Sequence, residues 1–182
     1  MTRNATSRGA GLAAVLILLL SACQASSPAP AGTQTSAKPS AHSFAGGCAG
    51  TVLTNAEPPV WAQGGWSHAE GTPWPVPWAF GTRDETVAFL FATELVAGTS
   101  PRVDGSNNKV LWEAKDYPSG GNVVVEGRPL NQSQPALTIA GGPSNVDVPT
   151  AGCWTFRLSW NAKGQHSSTV NLEVLPAGTL PR

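Results

Sequence analysis

Tryptophans are the residues of this sequence whose types and spacing most suggest a binding chemistry. Four of them lie within 18 residues, at Trp61, Trp66, Trp74 and Trp78. Exposed indole rings stack on sugars, and aromatic grooves bind proline-rich peptides, so we predict these four as ligand-binding residues. The alternative is that the rings cap an open end of the domain and are buried there.

Signatures of catalysis are missing from the sequence. It contains no G-x-S-x-G or S-x-x-K motif and no phosphate or dinucleotide loop. His68 and Glu70 would share one side of an extended chain, but no third metal ligand accompanies them. Glycoside cleavage needs a pair of carboxylates, and the sequence does not pair those available, which are Asp84, Glu85, Glu94, Asp104 and Asp116. We therefore predict no catalytic residue, no metal and no cofactor; the run DGSNN at 104–108 predicts an Asx turn.

The first 22 residues have the pattern of a signal peptide. Arg3 and Arg8 precede an apolar run at 11–20, which would span about 15 Å as a helix and is too short to cross a bilayer. The next residues, LSAC at 20–23, resemble the lipobox of bacterial lipoproteins. That resemblance implies cleavage before Cys23, diacylation of its thiol, and a lipid anchor in the cell membrane on the extracytoplasmic face. The alternative is an ordinary signal peptide with a chance cysteine.

Residues 24–47 consist mostly of Ser, Ala, Pro, Thr and Gly, with Lys38 as their only firm charge. Such a composition cannot bury a core, so we predict a disordered tether from the lipidated cysteine to a domain spanning 48–182.

Two further cysteines, Cys48 and Cys153, remain in a chain that signals its own export. Two cysteines that remain after Cys23, in a protein expected outside the cytosol, predict a disulfide between them. Two free thiols or a catalytic cysteine are the alternatives. Alternation along CWTFRLSW places Cys153 on the polar face of its strand, so we expect the disulfide at a rim of the domain, not between two sheets.

The charge balance of the sequence argues against nucleic acid as a partner. Without Arg3 and Arg8, 9 basic residues stand against 11 acidic ones, so nucleic acid, which needs a basic surface, is not an expected partner. Charged residues are 12% of the chain and Gly and Pro are plentiful, which favours a protein rich in turns and short strands.

Six runs predict strands, and no run outside the signal has a helical period. They are TVAFLFA (86–92), KVLWEAK (109–115), NVVVE (122–126), ALTIA (136–140), CWTFRLSW (153–160) and STVNLEVL (168–175). The first is apolar on both faces, as a buried central strand would be. Trp112, Trp154 and Trp160 fall on inward positions. We predict an all-β, antiparallel, immunoglobulin-like β-sandwich, with an irregular segment at 61–81.

The runs NKVLW (108–112) and PTAGCW (149–154) resemble motifs of bacterial surface lipoproteins that have an immunoglobulin-like fold. The resemblance supports the sandwich and implies no activity. We expect a non-enzymatic binding or structural module, anchored to the membrane, with an envelope protein, peptidoglycan or glycan as partner. The alternatives are a small envelope hydrolase or accessory protein with a dispersed site, and a lipoprotein that supports a membrane complex along a sheet edge.

Overall fold

The structure, a computed structural model, describes residues 43–117 and 122–180. The signal peptide, the lipidation residue Cys23 and residues 24–42 of the tether lie outside the described residues. The regular secondary structure of the described part is almost entirely β. Its strands are β1 (Ser43–Phe44), β2 (Leu53–Thr54), β3 (Trp78–Phe80), β4 (Thr86–Leu90), β5 (Leu95–Val96), β6 (Lys109–Ala114), β7 (Val124–Pro129), β8 (Leu137–Ala140), β9 (Gly142–Asn145), β10 (Gly152–Asn161) and β11 (Gln165–Leu175). Two 3₁₀ turns, Val60–Ala62 and Thr82–Asp84, complete the elements.

Two sheets pack face to face, which confirms the predicted all-β sandwich. One has six strands in the order β1-β2-β3-β4-β6-β9, and the other has five in the order β5-β11-β10-β7-β8. All neighbours are antiparallel except β5 and β11, which run parallel. The chain passes from β8 in one sheet to β9 in the other through Gly141, and so closes one side of the sandwich.

The core between the sheets is built by alternation along the longest strands. On β10 the inward residues Trp154, Phe156, Leu158 and Trp160 are all buried, and beside them on the paired strand β11 the inward residues Val170, Leu172 and Val174 are buried as well. Trp112 of β6 joins this core, with its ring centroid 5.3 Å from that of Phe156. The prediction that Trp112, Trp154 and Trp160 are core residues is confirmed.

Strand β4 contributes to two separate clusters, because both of its faces are apolar. Ala88 and Leu90 point into the core between the sheets, whereas Val87 and Phe89 point outward. A strand exposed on its outer face would leave those side chains in water, yet both are fully buried. A third layer therefore covers this sheet, and it is supplied by the tryptophan-rich segment.

The folded domain begins earlier than the sequence indicates. Residues 43–47, placed in the disordered tether, hold strand β1, which pairs with β2, and a bridge from Gly47 to Leu172 of β11. The tether prediction is wrong for these five residues. A strand of two residues is too short to show a periodic pattern in the sequence, so its position is determined by the strands with which it pairs.

The predicted disulfide between Cys48 and Cys153 is present, with the two Cα atoms 5.9 Å apart. Cys153 is half-buried and lies next to the buried Trp154, as the alternation predicted. Beside it, the Cys48 amide donates to the carbonyl of Asn171 at 3.3 Å. The bond thus holds the incoming chain against the outer side of the five-stranded sheet.

Candidate functional site

The four predicted ligand-binding tryptophans pack together on the outer face of the six-stranded sheet, where Trp78 is itself a residue of β3. We call residues 61–78 the tryptophan layer. Trp74 and Trp78 are each only 4% exposed, and Trp61 and Trp66 are partly buried against them. Nε1 of Trp78 donates to the carbonyl of Ala56 at 2.7 Å, which fixes the ring in place. The layer covers a sheet face and does not cap an open end of the sandwich.

Burial decides which of these rings could contact a ligand. A ligand stacks on an indole only when a ring face is open, and those of Trp74 and Trp78 are covered. Trp66 packs on Phe89 and stacks on Phe91, with centroids 5.0 and 5.8 Å away. The structure therefore does not support Trp74 and Trp78 as stacking surfaces, and it leaves Trp61 and Trp66 partly accessible.

One exposed aromatic surface borders the tryptophan layer. Phe91 is 46% exposed, stacks on Trp66 at an interplanar angle of 15°, and carries Nζ of Lys109 at 5.2 Å from its ring centroid. A cation over a ring face is attracted by the ring quadrupole. We call Trp66, Phe91 and Lys109 the Phe91 patch.

The described residues also form a groove beside β3. It has a volume of about 370 Å³ and lies where β2 and β3 of one sheet approach the edge of β11 in the other. Its lining includes the apolar side chains of Val52, Phe80 and Trp78 and the polar residues Thr51, Thr169 and Asn171. We call it the β11 groove. Sequence reasoning missed Val52 and Phe80, because single apolar residues beside short strands have no pattern.

The local fold holds the groove open by covering β11 on both sides of it. The amide of Asn171 donates to Oγ1 of Thr51 at 3.1 Å, and the amide of Thr169 donates to Oγ1 of Thr82 at 3.1 Å. These two bonds bring the chain near the disulfide and the turn before β4 against the same strand edge. The space between the two contacts is the groove.

Strained backbone accompanies that turn. Arg83 and Asp84 both adopt positive φ, at 61° and 55°, which L-residues with side chains adopt at a cost. Arg83 is held there by Oε2 of Glu85 at 2.9 Å and by the carbonyl of Ser167 at 2.7 Å. The hydrogen bond from Arg83 lowers the pKa of Glu85.

The other polar and ionisable residues considered in the sequence make local contacts. The His68 ring packs 4.7 Å from that of Trp74, and its Nδ1 lies 3.4 Å from the Thr72 hydroxyl. Within residues 43–117 and 122–180, no group of three His, Cys, Asp or Glu side chains is arranged to hold a metal ion. Asp104 accepts from the Ser106 amide at 3.0 Å, which confirms the predicted Asx turn, and the Ser106 hydroxyl lowers its pKa.

The NKVLW and PTAGCW motifs have structural roles. The fully buried Asn108 bonds both backbone groups of Val96, through Oδ1 at 3.0 Å and Nδ2 at 2.6 Å. Nε1 of Trp154 donates to the carbonyl of Thr150 at 2.9 Å. These contacts join strands and loops and do not line the groove.

Comparison with known proteins adds no family to these observations. No family model, no curated protein and no solved structure matches the chain. The resemblance to bacterial surface lipoproteins with an immunoglobulin-like fold stays a prediction. Among the described residues, no helix is long and apolar enough to cross a membrane.

Proposed function

We propose that this chain is a lipid-anchored, extracytoplasmic β-sandwich that binds a partner in the cell envelope and does not turn it over. The observation that carries the proposal is the disulfide between Cys48 and Cys153. Disulfides persist in oxidising compartments and are rare in the cytosol. The bond also uses two of the three cysteines, so Cys23, within the LSAC motif, is the thiol left for acylation.

The arrangement of the domain fits an anchored module. Its first described strand begins at Ser43, 20 residues after Cys23, and the disulfide fastens the chain five residues later. A pull on the anchor would therefore load β1 and the Gly47–Leu172 bridge first and then the covalent bond, before it reached the longer strands of the core. The β11 groove supplies a concave surface where a partner could bind.

The anchoring half of the proposal is tested by metabolic labelling with a palmitate analogue, followed by membrane fractionation. The Cys23→Ala variant should lose the label, whereas the double variant Cys48→Ala/Cys153→Ala should keep it, because its lipidation residue is intact. Labelling of Cys23→Ala equal to that of the unchanged protein would refute lipidation at this residue.

The compartment is tested by alkylation in intact cells. Without reductant, Cys48 and Cys153 should be inert to maleimide, and both should react after reduction and unfolding. Two reactive thiols in unreduced protein would contradict an extracytoplasmic location. The binding half is tested by crosslinking in intact membranes with the anchor kept, where we expect a discrete adduct that the Cys23→Ala protein lacks.

A further inference from the structure

The β11 groove has a lining without formal charge. None of the eleven described residues that line it is acidic or basic. Arg83, which follows the lining residue Thr82, is engaged by Glu85 and by the carbonyl of Ser167. The described residues as a whole carry 7 Lys and Arg against all 11 Asp and Glu. An anionic ligand would therefore meet no cation in the groove and would be repelled by the domain around it.

The wall of the groove is apolar and partly aromatic. Phe80 is 38% exposed and Val52 is 62% exposed, so both present apolar surface to the groove. The Phe80 ring is held edge-on against Trp78, with centroids 4.8 Å apart and an interplanar angle of 87°. A ring fixed in this way offers a preorganised face to an apolar C–H surface, such as the face of a pyranose.

The polar residues of the lining offer hydrogen-bonding groups of both kinds. Oδ1 of Asn171 accepts from the Thr155 hydroxyl at 2.9 Å, while its Nδ2 makes no hydrogen bond within the described part of the chain. The Thr169 hydroxyl likewise has no partner among the described residues, and the Thr51 hydroxyl is used only as an acceptor, from the Asn171 amide. These groups can donate to and accept from ligand hydroxyls.

Taken with the size of the groove, these features define one ligand class. We propose that the β11 groove binds an uncharged glycan, with Phe80 and Val52 against a sugar face and Thr169 and Asn171 on its hydroxyls. This inference rests on the proposed function and names the ligand class for it. A volume of about 370 Å³ falls within the range of small-molecule sites, about 300–1,000 Å³.

A peptide added as an extra strand fits the groove less well. Such a peptide needs free backbone amides along the strand edge. The amides of Thr169 and Asn171 on that edge are already bonded to threonine side chains. A carbohydrate needs only side-chain groups, and the Thr169 hydroxyl and Asn171 Nδ2 make no hydrogen bond within the described residues.

The experiment measures binding of neutral tetrasaccharides of glucose, mannose, galactose and N-acetylglucosamine to the lipidated protein. The protein is held in a detergent without a sugar head group, and binding is followed by calorimetry and tryptophan fluorescence. A uronic acid tetrasaccharide and a proline-rich peptide serve as comparison probes. We expect saturable binding of at least one neutral tetrasaccharide and none of the comparison probes.

Matched variants then locate the ligand. Phe80→Ala should weaken binding about tenfold, because it removes the stacking ring. Thr169→Val keeps the shape but removes the hydroxyl, and should weaken binding about fivefold. Their controls are Phe91→Ala, which removes a similarly exposed ring from the Phe91 patch, and Thr138→Val on the exposed side of β8; each should change binding less than twofold. Thermal unfolding of each variant separates a lost contact from a lost fold.

Several results would overturn the assignment. They are no binding of any neutral tetrasaccharide, equal binding by the Phe80→Ala protein in its folded state, or an equal loss in the Phe91→Ala protein. Binding of the uronic acid or peptide probe alone would replace the uncharged glycan with another ligand class. Failure here, with Cys23 labelling and membrane crosslinks intact, would refute the glycan assignment and leave the proposed function standing.

Discussion

Replacing Asn108 tests whether a side chain stands in for a missing strand. Parallel pairing with β11 directs the backbone N–H and C=O of Val96 away from that strand. The Asn108 amide bonds both, at 3.0 and 2.6 Å, and its side chain is fully buried. Its own carbonyl accepts from the Val146 amide at 2.8 Å. One residue thus joins β5, β6 and the segment after β9.

The expected loss of stability follows from the two backbone groups of Val96 that the substitution leaves without a partner. Asn108→Ala strips two buried backbone groups of their partners, and each unpaired group costs about 1–3 kcal/mol. We expect a loss of about 3–4 kcal/mol in the free energy of unfolding, with little contribution from packing. Asn145→Ala, an exposed asparagine in the adjacent strand β9, is the control and should change stability by less than about 0.5 kcal/mol.

Asn108→Asp gives the same experiment a dependence on pH. Its carboxyl can still accept from the Val96 amide, but only the protonated form can donate to the Val96 carbonyl. Burial raises the folded-state pKa of such a carboxyl, so the variant should be closest to normal stability below about pH 4 and should lose stability as pH rises. Urea unfolding of the oxidised protein, followed by tryptophan fluorescence at pH 3.5 and 7, measures this. A loss below about 1 kcal/mol in Asn108→Ala, or no pH dependence in Asn108→Asp, would refute the strand-substitute role.

Three further changes test other parts of the fold. Removing the disulfide by Cys48→Ala/Cys153→Ala should lower the free energy of unfolding by about 2–5 kcal/mol in urea, since the bond spans 105 residues; an unchanged midpoint would contradict this. Burial raises the pKa of Glu113, so the folded state binds its proton more tightly than the unfolded state does, and the free energy of unfolding falls as pH rises above about 4. Glu113→Gln should therefore raise the free energy of unfolding by less than about 1 kcal/mol at pH 7 and leave it unchanged at pH 3.5. In Gly81→Ala a Cβ would lie 2.1 Å from the Thr86 hydroxyl, so thermal unfolding should show a loss of about 1–3 kcal/mol, whereas Gly64→Ala, with open space around it, should not.

The long strands could be predicted from the sequence because apolar and polar residues that alternate over eight or more positions indicate a β-strand and no other element. The runs at 153–160 and 168–175 fall within β10 and β11, and the turn between them forms the predicted hairpin. The disulfide could be predicted because two cysteines remain after Cys23. Its position on the outer side could be predicted because Cys153 alternates with the buried Trp154 along the strand. Each of these is a local property that the tertiary structure did not override.

The short strands could not be predicted, since their partners and not their residues determine them. β2 and β5 contain two residues each, and β3 lies at the end of a segment expected to be irregular. Asn108 was part of a predicted turn and instead makes the buried contact with Val96. A polar residue at the start of a strand gives no signal that its side chain will replace a backbone partner.

The tryptophan layer and the position of the β11 groove both follow from the residues of β4. Since both faces of β4 are apolar, Phe89 must be covered, and a segment rich in Trp and Pro covers it without forming a further strand. Such a segment ends where the sheet resumes at β3, and there Phe80 emerges beside the edge of β11. The buried rings stabilise the sheet, and the groove lies at the boundary of what they cover. The sequence drew attention to the tryptophans, but the residues best placed to meet a ligand are those just outside their layer.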